Sequence, residues 1–264
     1  MKEADVITYY ETDFSSTRHR QGQLINAMVN IKLLSSIHPD LDTAHFADVG
    51  CGYGYMIRET IKAKGAQISI FGVEISQVER SYAVSMLGNA VEIVDRMEGL
   101  PDDTFSLIVC CEVIEHVKDP KSFLNCLHKK LRANGDLFLL TDNFGSSYVK
   151  AMGSYYKKWI PHSHIVHFNP ISLKSLFRFS AFQTIPELFY YTPPENHATF
   201  IIYKIKKLFG ILVETDFSQY RATEFNRKLD FFAFRYILNW IFVRFGPSKR
   251  DGTLVFTVAR KRNV

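Results

Sequence analysis

Phe46-Ala47-Asp48-Val49-Gly50-Cys51-Gly52-Tyr53-Gly54-Tyr55-Met56 decides how the rest of the chain is read. The short apolar run from His45 to Val49 has the composition of a strand buried on both faces. Three glycines at alternate positions end it. Tyr55 to Lys64 then has the pattern of a helix, with Gly65 as its stop. Strand, glycine-rich turn and helix is the layout of a nucleotide-binding crossover unit. Glycines at the strand end let a ligand approach the backbone, because no Cβ stands in the way.

The spacing Gly50-x-Gly52-x-Gly54 departs from the G-x-G-x-x-G of a dinucleotide site. Asp48, two residues before Gly50, would repel a pyrophosphate but suits an ammonium or sulfonium group. A second strand is expected from Gln67 to Val73 and ends in Glu74, 24 positions after Gly50. A carboxylate at that tip can accept both hydroxyls of a ribose. The ligand implied has a ribose and a positive end, and no diphosphate.

With these residues in place, D-V-G-C-G-Y-G followed by V-E-I resembles motif I and the acidic second-strand tip of class I S-adenosylmethionine-dependent methyltransferases. Two later stretches extend the resemblance. Phe105 to Val117 matches the fourth strand and the turn after it, and Leu131 to Thr141 is similar to the family's "L-k-P-G-G" turn and fifth strand. Four motifs in order, from about residue 20 to 190, are far more specific than one glycine motif. The resemblance implies a seven-stranded, mainly parallel, doubly wound α/β sheet. It implies S-adenosylmethionine as cofactor and S-adenosylhomocysteine as product. The residues it places around that cofactor are Asp48, Gly50, Cys51, Gly52, Gly54, Glu74, Ile75, Asp95, Met97, Cys111 and Glu112. Asp95, at the tip of a short third strand (Val91 to Val94), and Met97 would meet the adenine. Turn-capping by Asp95 is the plainer alternative. Cys111 and Glu112 would border the amino-acid half.

At 264 residues with 47% hydrophobic content, the chain reads as one methyltransferase domain. Its expected parts are a helical cover over 1–40, a cofactor-binding core over 41–191, a helical insert over 192–251 and a last strand over 252–260. The four cysteines lack C-x-x-C spacing and read as small buried residues of a reducing compartment. No secretory or membrane-spanning apolar run is seen, so a cytoplasmic protein is expected. The sequence leaves monomer and homodimer equally open.

Along the chain, Gln21 to Ile37 has helical spacing, and Tyr9 or Tyr10 in the leading segment could touch the cofactor's carboxylate, as in similar enzymes. Ser76 is the expected N-cap of the next helix, with Glu79 closing a capping box. Glu112, Glu115 and His116 form E-x-x-E-H, which on one helical turn would gather two carboxylates and an imidazole as metal ligands. Some small-RNA 2′-O-methyltransferases hold a divalent metal with a similar string, and quinone-biosynthesis O-methyltransferases have one too. Helix capping by the two glutamates needs no metal. His164-Ile165-Val166-His167-Phe168-Asn169-Pro170 resembles the "H-x-x-H-F" stretch that walls the acceptor pocket in quinone-type and glycan-type enzymes. If the acceptor is a hydroxyl, a base must take its proton. The candidates are His167, His164 and His116. A helix from Ser172 and a sixth strand from Gln183 to Tyr191 complete the core.

Residues 196–250 carry ten Lys/Arg against four acids, a net +6 that leaves the rest of the chain at −1. Thirteen of the 37 aromatics also fall there. Basic, aromatic and too short to span describes an interfacial helix on anionic lipid. A lid packed on the domain or at a dimer contact has the same composition. Nucleic acid is the weakest fit, and no DNA partner is expected. The sequence reading is therefore methyl transfer to a small-molecule oxygen, on a quinone precursor, a sugar or a lipid-linked glycan, with possible peripheral contact at the inner membrane face. The alternatives are a metal-assisted RNA 2′-O-methyltransferase and a cofactor-binding partner protein without catalysis.

Overall fold

The structure is a computed structural model that describes residues 17–40, 42–64, 69–156, 158–159, 163–210, 237–239, 241 and 247–262. Tyr9, Tyr10 and Gly65, and most of the 196–250 insert, lie outside them. The sheet is built from β1 (His45–Val49), β2 (Ser69–Val73), β3 (Glu92–Val94), β4 (Phe105–Cys111), β5 (Leu131–Asp142), β6 (Phe189–Tyr191) and β7 (Leu254–Arg260). Their order is β3-β2-β1-β4-β5-β7-β6. β1 to β5 run parallel, and β7 enters antiparallel between β5 and β6.

The apolar strands alternate between two cores, as a two-residue period dictates. Phe46, Leu107, Val109, Phe138, Leu140 and Phe256 pack on one face. Ala47, Val49, Ile108, Cys110, Leu137 and Leu139 pack on the other. The first face is covered by α1 (Thr17–Ile37) through Ile25, Leu33 and Leu34, and by α2 (Tyr55–Lys64) through Ile57. The second is covered by α4 (Pro120–Lys130) through Leu124 and Leu127, and by α6 (Pro170–Arg178) through Leu173 and Phe177. Three further helices are α3 (Gln77–Leu87), α5 (Ser147–Met152) and α7 (Pro194–Leu208).

Several boundaries differ from the sequence reading. α1 begins one turn earlier than Gln21. Strand six is only Phe189–Tyr191, the residues that pair with β7, and Gln183, its expected start, stands at φ +50° outside the extended region. β5 starts at Leu131, and Asn134-Gly135 is a bulge within it. Asn134 takes φ +59°, and the β4 register jumps between Phe105 and Leu107. α6 is capped by Asn169, whose side chain accepts from Ile171 and Ser172 N–H. Ser172 is the third helical residue and closes the capping box from inside. Ser76 caps α3 as expected and accepts from Glu79 N–H. Its own N–H goes to Glu74 Oε1 at 2.8 Å, so the Glu79 side chain is released from the box for another use.

Candidate active site

The loop after β1 turns back on β2: Gly50 and Cys51 N–H both donate to Val73 O, at 2.8 and 2.9 Å. Gly50, Gly52 and Gly54 all have positive φ, at +76°, +52° and +77°. A Cβ on Gly52 would lie 2.3 Å from Gln23 Oε1, because α1 lies against the loop. Gln23 accepts from Tyr53 N–H at 3.0 Å and donates to Glu79 Oε2 at 3.2 Å. The helical cover is thus bolted to the glycine turn.

Three carboxyls converge behind this loop. Glu74 accepts from Gly52 N–H (2.8 Å) and Ser76 N–H (2.8 Å). Burial pushes its carboxyl up. Burial, then the Glu74 charge, pushes Asp48 up to about 8 and Glu79 to about 8. Asp48 Oδ2 is buried and accepts no hydrogen bond. An acidic cluster that cannot ionise by itself is completed by a cationic ligand. These residues therefore fit a sulfonium nucleotide: a glycine cradle a Cβ would fill, a buried unpaired carboxylate oxygen, and Glu74 at the strand tip.

Ile75 follows Glu74 and is 36% exposed, a large apolar side chain open at the crevice. Asp95 stands exposed after β3, and Met97 opens a single 3-10 turn with its side chain half-buried against the second core. All three lie at the carboxyl ends of β2 and β3. Cys51 is buried and Cys111 half-buried, and burial pushes both thiols well up, so they are packing groups and not nucleophiles.

The E-x-x-E-H run is not one helical face. Glu112 leaves β4 at φ +55°, and a 3-10 turn covers only Ile114–His116. The left-handed residue turns Glu112 out of the cluster that the other two form. Glu112 binds Lys158 Nζ at 2.6 Å and accepts from Asn26 of α1 at 3.3 Å. The metal set expected from sequence is corrected accordingly: Glu115, His116 and His164 each offer a ligand atom, and these atoms lie within 4.8 Å of one another. Glu115 Oε2 accepts from Thr141 Oγ1 at 2.8 Å, while Oε1 is buried without a partner. Burial, with Asp142 and Glu112 nearby, raises Glu115 to about 8.

Lys158 also reaches Asp142 Oδ1 at 2.6 Å, and Asp142 Oδ2 lies 3.3 Å from His164 Nδ1. Burial pushes Asp142 up, but Lys158 and His164 outweigh it and leave the carboxyl below its ordinary range. Burial would lower the Lys158 ammonium, and the two carboxylates instead hold it well above its usual value. His116 and His164 meet edge-on, ring centroids 4.8 Å apart. His116 Nδ1 lies 2.8 Å from Ser163 O, and burial plus His164 lowers its pKa to about 4. His167 is set apart: exposed, its ring 4.2 Å from Phe144 and 5.0 Å from Trp159. Burial, then His164, lowers its pKa.

Sequence reasoning missed Lys158, Gln23 and the buried role of Glu79. Only Lys158 left a signal, as one of two adjacent lysines in an aromatic stretch after a strand-end aspartate.

A cofactor cradle after β1, an acidic β2 tip and an acceptor-side network after β4 and β5, on a 3-2-1-4-5-7-6 sheet, define a class I transferase site. Residues 19–186 match the Methyltransferase domain family, and the chain belongs to that family, within the class I S-adenosylmethionine-dependent methyltransferases. The cofactor of this class is S-adenosylmethionine, released as S-adenosylhomocysteine. The chain is 31% identical over 112 residues to a ubiquinone biosynthesis O-methyltransferase of Xanthomonas oryzae pv. oryzae, a match covering 39% of the chain and 45% of that protein. It is 35% identical over 101 residues to the mitochondrial ubiquinone biosynthesis O-methyltransferase of Schizosaccharomyces pombe, 36% of each. The matches thus span about half or less of these relatives' length. Among solved structures, Haemonchus contortus phosphoethanolamine N-methyltransferase 2 in complex with S-adenosyl-L-methionine superposes with a TM-score of 0.60 at 14% identity, covering 97% of this chain and 60% of that one. A possible histamine N-methyltransferase from Thermotoga maritima gives 0.60 at 14% identity, covering 97% and 99%. At such identity these two share the fold.

Proposed function

We propose that the chain transfers a methyl group to a hydroxyl oxygen of a small, ring-bearing acceptor of the quinone-precursor kind. The observation that supports this best is the His164–Asp142 contact of 3.3 Å at the carboxyl end of β5. The bound cofactor supplies an electrophilic methyl on a positive sulfur, so the chain's task is positioning and proton removal. His164 takes the hydroxyl proton as the oxygen attacks in line. Asp142, anchored through Oδ1 by Lys158, steadies the imidazolium through Oδ2. Phe144, Trp159 and His167 form a cluster of mutually inclined rings just past the end of β5 and offer apolar ring surface to an acceptor. The names of the ubiquinone-type relatives agree with this acceptor class. The test is transfer of labelled methyl to catechol-type and hydroxyquinol acceptors. Labelled methyl ethers are expected. Cofactor binding with transfer only to amine acceptors rules the reading out.

A second reading is favoured by the Glu115, His116 and His164 cluster. Two imidazoles and a carboxylate suit a divalent metal, and the unpartnered Glu115 Oε1 is the oxygen such an ion would take. The metal would hold neighbouring hydroxyls, of a catechol or of an RNA ribose, and acidify one. His164 is then a ligand and not a base. Chelation with EDTA followed by readdition of magnesium, manganese or zinc separates the two readings. Activity indifferent to chelation removes this one.

A further inference from the structure

α7 is inside out for a helix on a protein surface. Its buried side is Tyr203, with Phe200 half-buried beside it, packed against Val149, Met152 and Tyr156. Its outward side carries Ile201 (60% exposed), Ile205 (51%) and Leu208 (81%), at i, i+4 and i+7, with Ile202 and Phe209 alongside. With about 3.6 residues per turn, this stripe lies opposite Tyr203, and Lys204 and Lys206 fall on its two borders. Lys204 Nζ sits 5.2 Å over the Phe200 ring and Lys207 Nζ 5.8 Å over Tyr203. Each ammonium thus lies over an aromatic face.

We propose that this face of α7 is a docking surface for an anionic lipid bilayer, on which the helix lies in the plane of the headgroups. At 15 residues α7 is about 22 Å long, too short to cross a bilayer core of roughly 30 Å. No helix among the described residues is long and apolar enough to span. An apolar stripe bordered by lysines on both sides is the arrangement that buries isoleucines at the acyl boundary and leaves ammonium groups at the phosphates. A second copy of the chain is a poor occupant, because pairing this face with itself brings the bordering Lys204 and Lys206 against the same lysines of the other copy. The sole acid of α7, Glu195, lies in the first turn and is engaged by Asn239 Nδ2 at 3.1 Å. The inner face of the same helix rests on the segment from which Lys158 reaches Asp142. Docking therefore sets the acceptor side of the site near the lipid surface, whatever the acceptor is.

The test is flotation of the full chain with vesicles of phosphatidylcholine alone and of phosphatidylcholine with phosphatidylglycerol. The chain is expected to float with the anionic vesicles alone and to be released by salt. Ile201→Asp with Ile205→Asp is expected to abolish flotation, and Lys204→Glu with Lys206→Glu to weaken it at least about tenfold. Unchanged circular dichroism and cofactor titration of both variants show that they are folded. Failure of the wild type to float with anionic vesicles overturns the proposal. So does flotation of the Ile201→Asp/Ile205→Asp variant like wild type, or a light-scattering dimer that this pair of changes splits while flotation is unaltered.

Discussion

Lys158 Nζ lies 2.6 Å from Asp142 Oδ1, and this contact fixes the segment after α5 to the end of β5. The aspartate is 1% exposed and the lysine 35%. Removing the cation leaves the buried Asp142 with His164 alone and Glu112 with Asn26 alone. A fully buried pair broken on one side costs roughly 3–5 kcal/mol, and solvent at the lysine end reduces this to about 2 kcal/mol. Lys158→Met is thus expected to lower the melting temperature at pH 7. The sign with pH follows from the two shifts. The depressed Asp142 contributes stability above its unfolded pKa that is lost as pH falls through the folded one. The raised Lys158 contributes below its unfolded pKa and loses it as pH rises through the folded one. The Lys158→Met deficit should therefore be greatest near neutrality and shrink toward acid. A deficit constant down to pH 3 would count against the pairing.

Cofactor binding should release protons. Asp48 and Glu79 are both pushed up to about 8, so at pH 7 the empty site is largely protonated. Between an unfolded pKa near 4 and the folded value, the folded state binds more protons than the unfolded one. The empty protein therefore loses stability as pH rises over that window. A cationic ligand favours the ionised carboxylate, so affinity for S-adenosylmethionine should rise about tenfold between pH 6.5 and 8.5. Calorimetric enthalpies in buffers of different ionisation heat count the protons released. Enthalpies independent of buffer would show that Asp48 is already ionised in the empty site.

Gly52→Ala tests the bolt between α1 and the loop. The new Cβ stands at φ +52° and 2.3 Å from Gln23 Oε1. Backbone strain of about 1–3 kcal/mol applies whatever Gln23 does. The clash can be relieved by shortening Gln23. Gly52→Ala with Gln23→Ala should therefore be less destabilised than the sum of the single changes, by about 0.5–2 kcal/mol. Chemical denaturation of the four proteins measures the coupling, and strict additivity would mean that the helix does not hold the loop.

The sheet was legible because each of its marks is local. The glycine turn, Glu74 at a strand tip and Ser76 at a helix start need no knowledge of distant residues; Ser76 does cap α3 through Glu79 N–H at 3.3 Å. The acceptor side was only half legible. His164 and His116 stood out by type, but their meeting depends on Val166 N–H donating to Glu115 O at 3.0 Å, across 51 positions. The E-x-x-E-H spacing misled because it presumes a helix, and nothing local announces that Glu112 takes a left-handed conformation. Gln23 and Glu79 were invisible for the same reason, being 56 positions apart and joined only in the fold.

Glu115→Gln separates the two roles open to the buried cluster. Burial, then Asp142 and Glu112, holds the Glu115 carboxyl up to about 8, so at pH 7 it is mostly the neutral acid that Thr141 Oγ1 donates to. Glutamine has the shape of that acid, accepts the same hydrogen bond and cannot ionise. Wild type loses stability as pH rises from the unfolded value near 4.3 toward 8, and the variant does not. The variant should accordingly match wild type near pH 4 and exceed it by about 2 kcal/mol or more at pH 8. Methyl transfer carried by His164 as base should survive the change, since a neutral group replaces a neutral group. Transfer that depends on a divalent ion should collapse, because an amide oxygen is a far weaker ligand than a carboxylate. Thermal melts against pH and methyl-transfer rates with and without added manganese, on the same two proteins, read both effects. Equal stability of the two proteins at pH 8 would mean that Glu115 is ionised in the fold, and would turn the cluster toward the metal.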